Sequence, residues 1–254
     1  MDYVTLKYID KKPKLKNPIL IEGLPGIGNV GKLAVEHLIE CIGAKKFIDL
    51  YCKDFPPQVF INTDGTTKLV NNEFYYWTAK KKNQRDLILL TGDYQGLSSQ
   101  GQYELVEKIL DIADEFGVKE IYTLGGYGLG HDIPKPNVLC AATDKEMVKT
   151  MKKYGAVFKK NEPGGGIVGA SGLLLGLGKL REISGACLMG ETPGYLVDPK
   201  SAKSVLNILM KVTNIDVKLD ALEKKAKEIE HIAHQLKEME SMSKDRNEEL
   251  KYIG

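Results

Sequence analysis

The chain has 254 residues, 43% hydrophobic and 28% charged, and its 36 Lys+Arg against 34 Asp+Glu leave a formal charge of +2. That length can bury a full core, while the even balance excludes a protein whose main task is wrapping nucleic acid, since no basic excess exists to displace counterions. Glycine is the outlier, with 26 residues, about a tenth of the chain against a usual ~7%. Such glycines serve as turns, phosphate cradles or close-packing sites.

The opening eighteen residues contain no apolar stretch like the core of a signal peptide. The longest weakly polar run, Ile167 to Gly178, is broken by glycines and a serine and ends at Lys179, short of the ~20 apolar residues a membrane span needs. Cys41, Cys52, Cys140 and Cys187 lie far apart in apolar settings, where a buried reduced thiol is the default. The expectation is a soluble, cytoplasmic protein with neither a membrane nor a nucleic-acid partner.

Short β-branched runs then alternate with helical patterns. Pro18 to Glu22 reads as a strand, Asn29 to Cys41 as a helix and Lys46 to Tyr51 as a strand. Gln58–Ile61, Thr67–Val70 and Glu73–Thr78 read as a β-meander whose first turn is Asp64-Gly65, a strong hairpin dipeptide. Asp86 to Thr91 is nearly continuously apolar, as a strand buried on both faces should be. Ser99 and Gln102 form a capping-box pair ahead of Leu105, Val106, Ile109, Leu110 and Ala113 on one helix face, and Gly117 stops that helix.

Glu120–Leu124, Val138–Ala142, Ala156–Phe158 and Ile183–Met189 read as further strands, and Asp144–Lys153 and Leu173–Leu180 as helices. Asp198-Pro199 opens a last helix to Val212, with proline in its favoured first turn. This alternation predicts an α/β fold with a mostly parallel central sheet and helices on both faces.

From Asp216 to Leu250 the pattern changes to ten acidic and seven basic residues without glycine or proline. Leu222, Ile229 and Leu236 fall seven apart, Leu219, Ala226 and Ala233 lie three before each, and Ile232 and Met239 widen the stripe. That spacing predicts a long amphipathic helix, docked on its own domain or serving as an arm. Two parts follow: an α/β core over residues 1–215 and a helical extension and tail over 216–254.

Three glycine clusters carry the candidate chemistry. Gly26, Gly28 and Gly31 fit G-x-G-x-x-G between a strand and a helix, with Asp49 about twenty residues on. Gly26 to Lys32 also fits most of a P-loop, but Leu33 replaces the hydroxyl that would hold Mg²⁺. A helix start with free N–H groups suits an anion, so Gly26, Gly28, Asn29, Gly31 and Lys32 form a candidate ligand loop; the alternative is a tight turn packed against neighbouring backbone. Gly125 to Gly130 reads as a second loop. Gly164–Gly166 with Gly169, Gly172, Gly176 and Gly178 suits close helix packing, and Gly169-Ala-Ser171-Gly172 misses the nucleophile elbow by one position. His131 beside Asp132 is the first choice for a general base, His37 sits in a helix, and His231 with His234 lacks a third metal ligand.

Several segments together resemble one family: Gly23-Leu-Pro-Gly-Ile-Gly-Asn-Val-Gly-Lys-Leu-Ala34, Phe55-Pro-Pro-Gln-Val-Phe60, Thr91-Gly-Asp-Tyr-Gln-Gly96, Leu124-Gly-Gly-Tyr127, Gly169-Ala-Ser-Gly-Leu-Leu-Leu-Gly176 and Gly190-Glu-Thr-Pro-Gly-Tyr195. From about residue 17 onward the chain resembles archaeal proteasome assembly chaperone 2 family proteins. The resemblance implies a core similar to nucleoside phosphorylases, no enzymatic activity, no cofactor, homo-oligomerisation, and docking on proteasome α-subunit rings through a tail ending hydrophobic-Tyr-any residue. Here the chain reads Glu249-Leu-Lys-Tyr-Ile-Gly254, so Tyr252 is third from the end, and the resemblance puts partner contact at Leu250, Tyr252, Ile253 and Gly254. The rival expectation is a nucleotide- or dinucleotide-binding enzyme or sensor using residues 26–31.

Overall fold

The computed structural model describes residues 2–159 and 165–229. In chain order the strands are β1 (Val4–Tyr8), β2 (Ile19–Glu22), β3 (Lys45–Cys52), β4 (Val59–Ile61), β5 (Thr67–Leu69), β6 (Asn72–Trp77), β7 (Leu87–Gly92), β8 (Glu120–Gly128), β9 (Val138–Ala142) and β10 (Ser184–Thr192). The helices are α1 (Val30–Ile42), α2 (Ser99–Glu115), α3 (Lys145–Tyr154), α4 (Ala170–Leu180) and α5 (Pro199–Thr213). Eight strands form one sheet in the order β1-β3-β6-β7-β2-β8-β10-β9, and β4 with β5 makes a separate ribbon.

The parallel part is the central block β7-β2-β8-β10. Antiparallel strands flank it on both sides, β6, β3 and β1 on one and β9 on the other. The strands of the block are apolar because both faces are covered. Ile19, Ile21, Leu87 and Leu89 pack with α1, α3 and α5, whereas Leu20, Ile88 and Leu90 pack with α2 and α4. Burying each such side chain stabilises the fold by about 1.5–3 kcal/mol relative to leaving it exposed.

Capping chemistry sets the helix ends. Asp144 caps α3 by accepting from Met147 N, and Asp198 caps α5 by accepting from Ser201 N. For α2 the expected box shifts by one residue. Ser98 Oγ accepts from Gly101 N at 3.0 Å, while Gln102 reaches back to the Gly96 carbonyl at 2.7 Å.

Other expectations also change. The three strands read as a meander all form, yet only the first two stay together; β6 enters the large sheet between β3 and β7 because its Asn72, Phe74 and Trp77 are buried while every residue of β4 and β5 is exposed. Ala156–Phe158 contributes one parallel bridge, Val157 to Leu139, covering the β9 edge without becoming a strand of its own. Strand β1 has no counterpart in the sequence reading. Cys41 is exposed, unlike the other three cysteines, and all four are free thiols.

After α5 the chain turns at Asn214, and residues 220–229 are helical. Leu222 is buried with α1 and α5, Val217 and Leu219 pack on the same cluster, and Lys203 pairs with Glu223. The start of the extension is thereby stitched to the core. The remainder of the expected helix, with His231, His234 and the tail residues Leu250, Tyr252, Ile253 and Gly254, lies outside the described residues. Among the described residues no helix is long and apolar enough to cross a membrane.

Candidate functional site

Strand order locates the natural crevice. The chain leaves β2 through α1 towards β3 on one side, whereas β7 leads through α2 to β8 on the other. Because α1 and α2 pack on opposite faces, the carboxyl ends of the adjacent parallel strands β2 and β7, which these helices leave, form a topological switch point, where open α/β sheets place ligands. The first glycine cluster stands there.

Backbone fills this crevice. Gly23 N continues the ladder to Leu90 O at 2.9 Å, and residues Ile27–Asn29 form one 3₁₀ turn closed by Asn29 N donating to Gly26 O at 2.9 Å. A Cβ on Gly31 would lie 2.0 Å from Leu124 O, and one on Gly126 would lie 2.2 Å from Ile27 O. Gly28 adopts φ +62 beside Thr192, a conformation L side chains rarely take. The glycines of the loop and of β8 therefore let two backbones touch. Gly125 to Gly128 belong to β8 itself, not to the second loop read from the sequence, because they pair in register with Met189 to Thr192 of β10, and Gly126 among them leaves room for the Ile27 carbonyl.

Gly26, Gly28, Asn29 and Gly31 are thus gathered into a single turn at the start of α1. Lys32 is turned away from it: its Nζ donates to Gly92 O at 2.8 Å and lies 3.6 Å from Glu36. Asp49, the acid of the dinucleotide pattern, sits on β3 with β6 and β7 intervening before β2, and its carboxylate is held by Lys46 at 2.8 Å and Asn71 at 2.7 Å. A dinucleotide-binding unit places that acid on the adjacent parallel strand, which is not this geometry.

The polar residues that shape the switch point are others. Glu22, fully buried at the end of β2, accepts from Leu24 N at 2.8 Å and from the Ser171 hydroxyl at 2.9 Å. Burial pushes its carboxyl up to about 7, against the lowering effect of those two donors. Gln95 spans the same gap: Nε2 donates to Pro25 O at 2.7 Å, and Oε1 accepts from Ala170 N at 2.9 Å. Sequence reasoning missed both residues. Glu22 closes an otherwise apolar strand, Ile19 to Glu22, and a lone acid at the end of a buried run is the one signal that pointed to it.

Among the described residues, His37 and His131 assemble no nucleophile-and-base arrangement. His131 is exposed and its Nδ1 meets the Asp132 carbonyl at 3.1 Å. His37 Nε2 lies 2.6 Å from the Lys218 carbonyl and 3.4 Å from Cys41 Sγ. A ring nitrogen that close to a carbonyl carries the proton and donates it, so it cannot accept from the thiol. Burial pushes the Cys41 thiol up, the opposite of activation. Among the described residues no group of three or more His, Cys, Asp or Glu side chains is placed to hold a metal ion.

Large apolar side chains rim this end of the sheet. Ile27 is 51% exposed, Leu97 68% and Val168 94%, and Tyr195, Leu196 and Val197 continue the rim ahead of α5.

Comparison with known proteins places this arrangement. The sequence profile of the PAC2 family matches residues 20–237. An uncharacterized protein of Methanocaldococcus jannaschii is 44% identical over 99% of this chain and 97% of its own. Among solved structures, PbaB of Pyrococcus furiosus, described as an archaeal proteasome activator, is 43% identical with a TM-score of 0.89, covering 93% of this chain and 100% of that one. PbaA of the same organism, described as an archaeal homolog of proteasome-assembly chaperone, is 25% identical with a TM-score of 0.77 over 97% of each chain.

Proposed function

Because the chain belongs to the PAC2 family and matches archaeal proteins over nearly its whole length, we propose that it is a non-enzymatic binding protein of the proteasome-assembly-chaperone kind. The observation that carries this reading is the likeness to the Pyrococcus proteasome activator, 43% identity with a TM-score of 0.89. The partner is the proteasome α-subunit ring, contacted by Leu250, Tyr252, Ile253 and Gly254. Such a tail acts by burying its aromatic side chain in a pocket between subunits while its carboxylate meets a lysine. Tyr252, one position further from the end than in the family pattern, fills that pocket with Ile253 beside it.

The body acts as a homo-oligomer in the cytoplasm, presenting several tails to one ring so that weak single contacts add up. Exposed Ile27, Leu97, Val168 and Leu196 are the kind of side chains a subunit contact covers. The test is retention of archaeal proteasome α rings on full-length protein and on protein lacking Tyr252 to Gly254. Loss of retention on the shortened form supports the tail; equal retention removes it, and no retention by either form removes the partner. Light scattering of the same samples reads the oligomer independently.

A further inference from the structure

The loop after β2 and the start of α4 are far apart in sequence, yet two polar side chains tie them together. Glu22 joins Leu24 N to the Ser171 hydroxyl at 2.8 and 2.9 Å, and Gln95 joins Pro25 O to Ala170 N at 2.7 and 2.9 Å. Gln102 Nε2 steadies the second tie through Gly96 O at 2.7 Å, and Thr123 Oγ1 steadies the first through Ser171 O at 3.2 Å. Gly169 has no Cβ and a φ of +92; a Cβ there would stand 2.5 Å from Gln95 Oε1, so the tie needs glycine at that place. Each of the three segments joined carries one of the exposed apolar residues Ile27, Leu97 and Val168 within three positions of a tying atom.

The two ties differ in chemistry. Gln95 is neutral at every pH. Glu22 is a carboxyl with no solvent access, and it meets two donors where an ionised carboxylate accepts about four. Among the described residues no cation pairs with it. The buried positions of α2 (Gly101, Leu105, Val106) and of α4 (Ala170, Leu174, Leu175) are uncharged. From β8 comes the Thr123 hydroxyl, and from β10 the Cys187 thiol, which burial keeps neutral by pushing it up to about 12. Across the sheet, Thr91 of β7 and Glu36 of α1 face each other on the opposite side.

We propose that Glu22 and Gln95 form a proton-gated clamp: with Glu22 neutral, its Oε1 accepting from Leu24 N and its Oε2–H turned to the Ser171 hydroxyl oxygen, it holds residues 23–27, 95–97 and 168–171 as one rigid rim, and ionisation of Glu22 loosens the glycine loop from the start of α4. An ionised carboxyl in this setting is relieved by admitting water, and water enters only if the loop parts from α4. The direction follows from linkage: the closed state holds the proton up to about 7, whereas an opened, hydrated Glu22 returns towards 4.5. Opening therefore grows as pH rises between those values and levels off above them. From pH 6 to pH 8.5 the opening equilibrium rises about tenfold.

Hydrogen exchange of the full-length protein at pH 6 and pH 8.5, corrected for the intrinsic rate of each amide, tests this. Peptides covering 23–29 and 167–173 should lose about tenfold in protection at the higher pH, while peptides from α2 and β8 serve as the unchanging reference. Glu22→Gln should hold both segments equally protected at the two pH values. Gln95→Ala should loosen both segments at each pH while keeping the pH response. A wild-type protein without the response, or a Glu22→Gln variant that keeps it, would overturn the clamp; so would a Gln95→Ala variant that loosens only one segment.

Discussion

Glu22 and Glu73 stand in the same sheet two strands apart, and their surroundings drive them in opposite directions. Glu22 ends a wholly apolar strand and meets only a backbone N–H and a hydroxyl, so burial dominates and lifts its carboxyl to about 7. Glu73 is also desolvated, but Lys46, Tyr75 and Lys68 overcome this and hold it at about 2. The lesson is that desolvation alone does not set the state of an acid; a cation within hydrogen-bond reach reverses its effect. The switch point is thus an uncharged, closely packed place, and the antiparallel flank is a charged one.

The packing half of that contrast carries the largest expected effect. Gly31→Ala puts a Cβ 2.0 Å from Leu124 O, and neither backbone can give way without opening the switch point. A loss of more than about 3 kcal/mol is expected, read by chemical denaturation; a loss below about 1 kcal/mol would show that loop and strand are not in close contact.

The two acids then give opposite pH limbs. A raised acid lowers stability as pH climbs from its unfolded value to its folded one, so Glu22 costs stability between about 4.5 and about 7. Glu22→Gln should remove that slope and stabilise the protein at pH 8 by about 2–3 kcal/mol. Glu73 is depressed, so its contribution is present above about 4.5 and fades as pH falls towards about 2. Glu73→Gln should flatten that acid limb, at a cost of about 1–2 kcal/mol at neutral pH once the exposure of Lys68 is allowed for. Denaturation curves across pH 2 to 9 for the three proteins check both limbs; identical limbs for Glu22→Gln and Glu73→Gln would erase the comparison.

How much of this was legible beforehand follows the same division. Central strands such as Leu87–Gly92 announce themselves as continuous apolar runs, and capped helices by their periodicity. Strand β1 was not legible because Val4-Thr-Leu-Lys-Tyr8 is short and lies on the sheet edge, where only one face is buried. Nor was the departure of β6 from the hairpin, since local turn chemistry does not say which distant strand a third one joins. Gly125-Gly-Tyr-Gly128 read as a loop because glycine weakens a strand; the strand persists because these residues pair in register with Met189 to Thr192 of β10, a distant partner that no local pattern names. The Glu22–Ser171 and Gln95–Ala170 ties join residues 149 and 75 positions apart, beyond the reach of any local pattern. What did transfer was the ordered set of family segments, which identified the chain where each glycine motif alone was ambiguous.

In the proposed function the body presents a tail to a proteasome α ring. Retention of purified archaeal α rings by immobilised full-length protein, set against the form lacking Tyr252 to Gly254, tests it most directly. Rings are expected to be held by the first and released by the second; equal retention by both would remove the tail contact, and retention by neither would remove the partner.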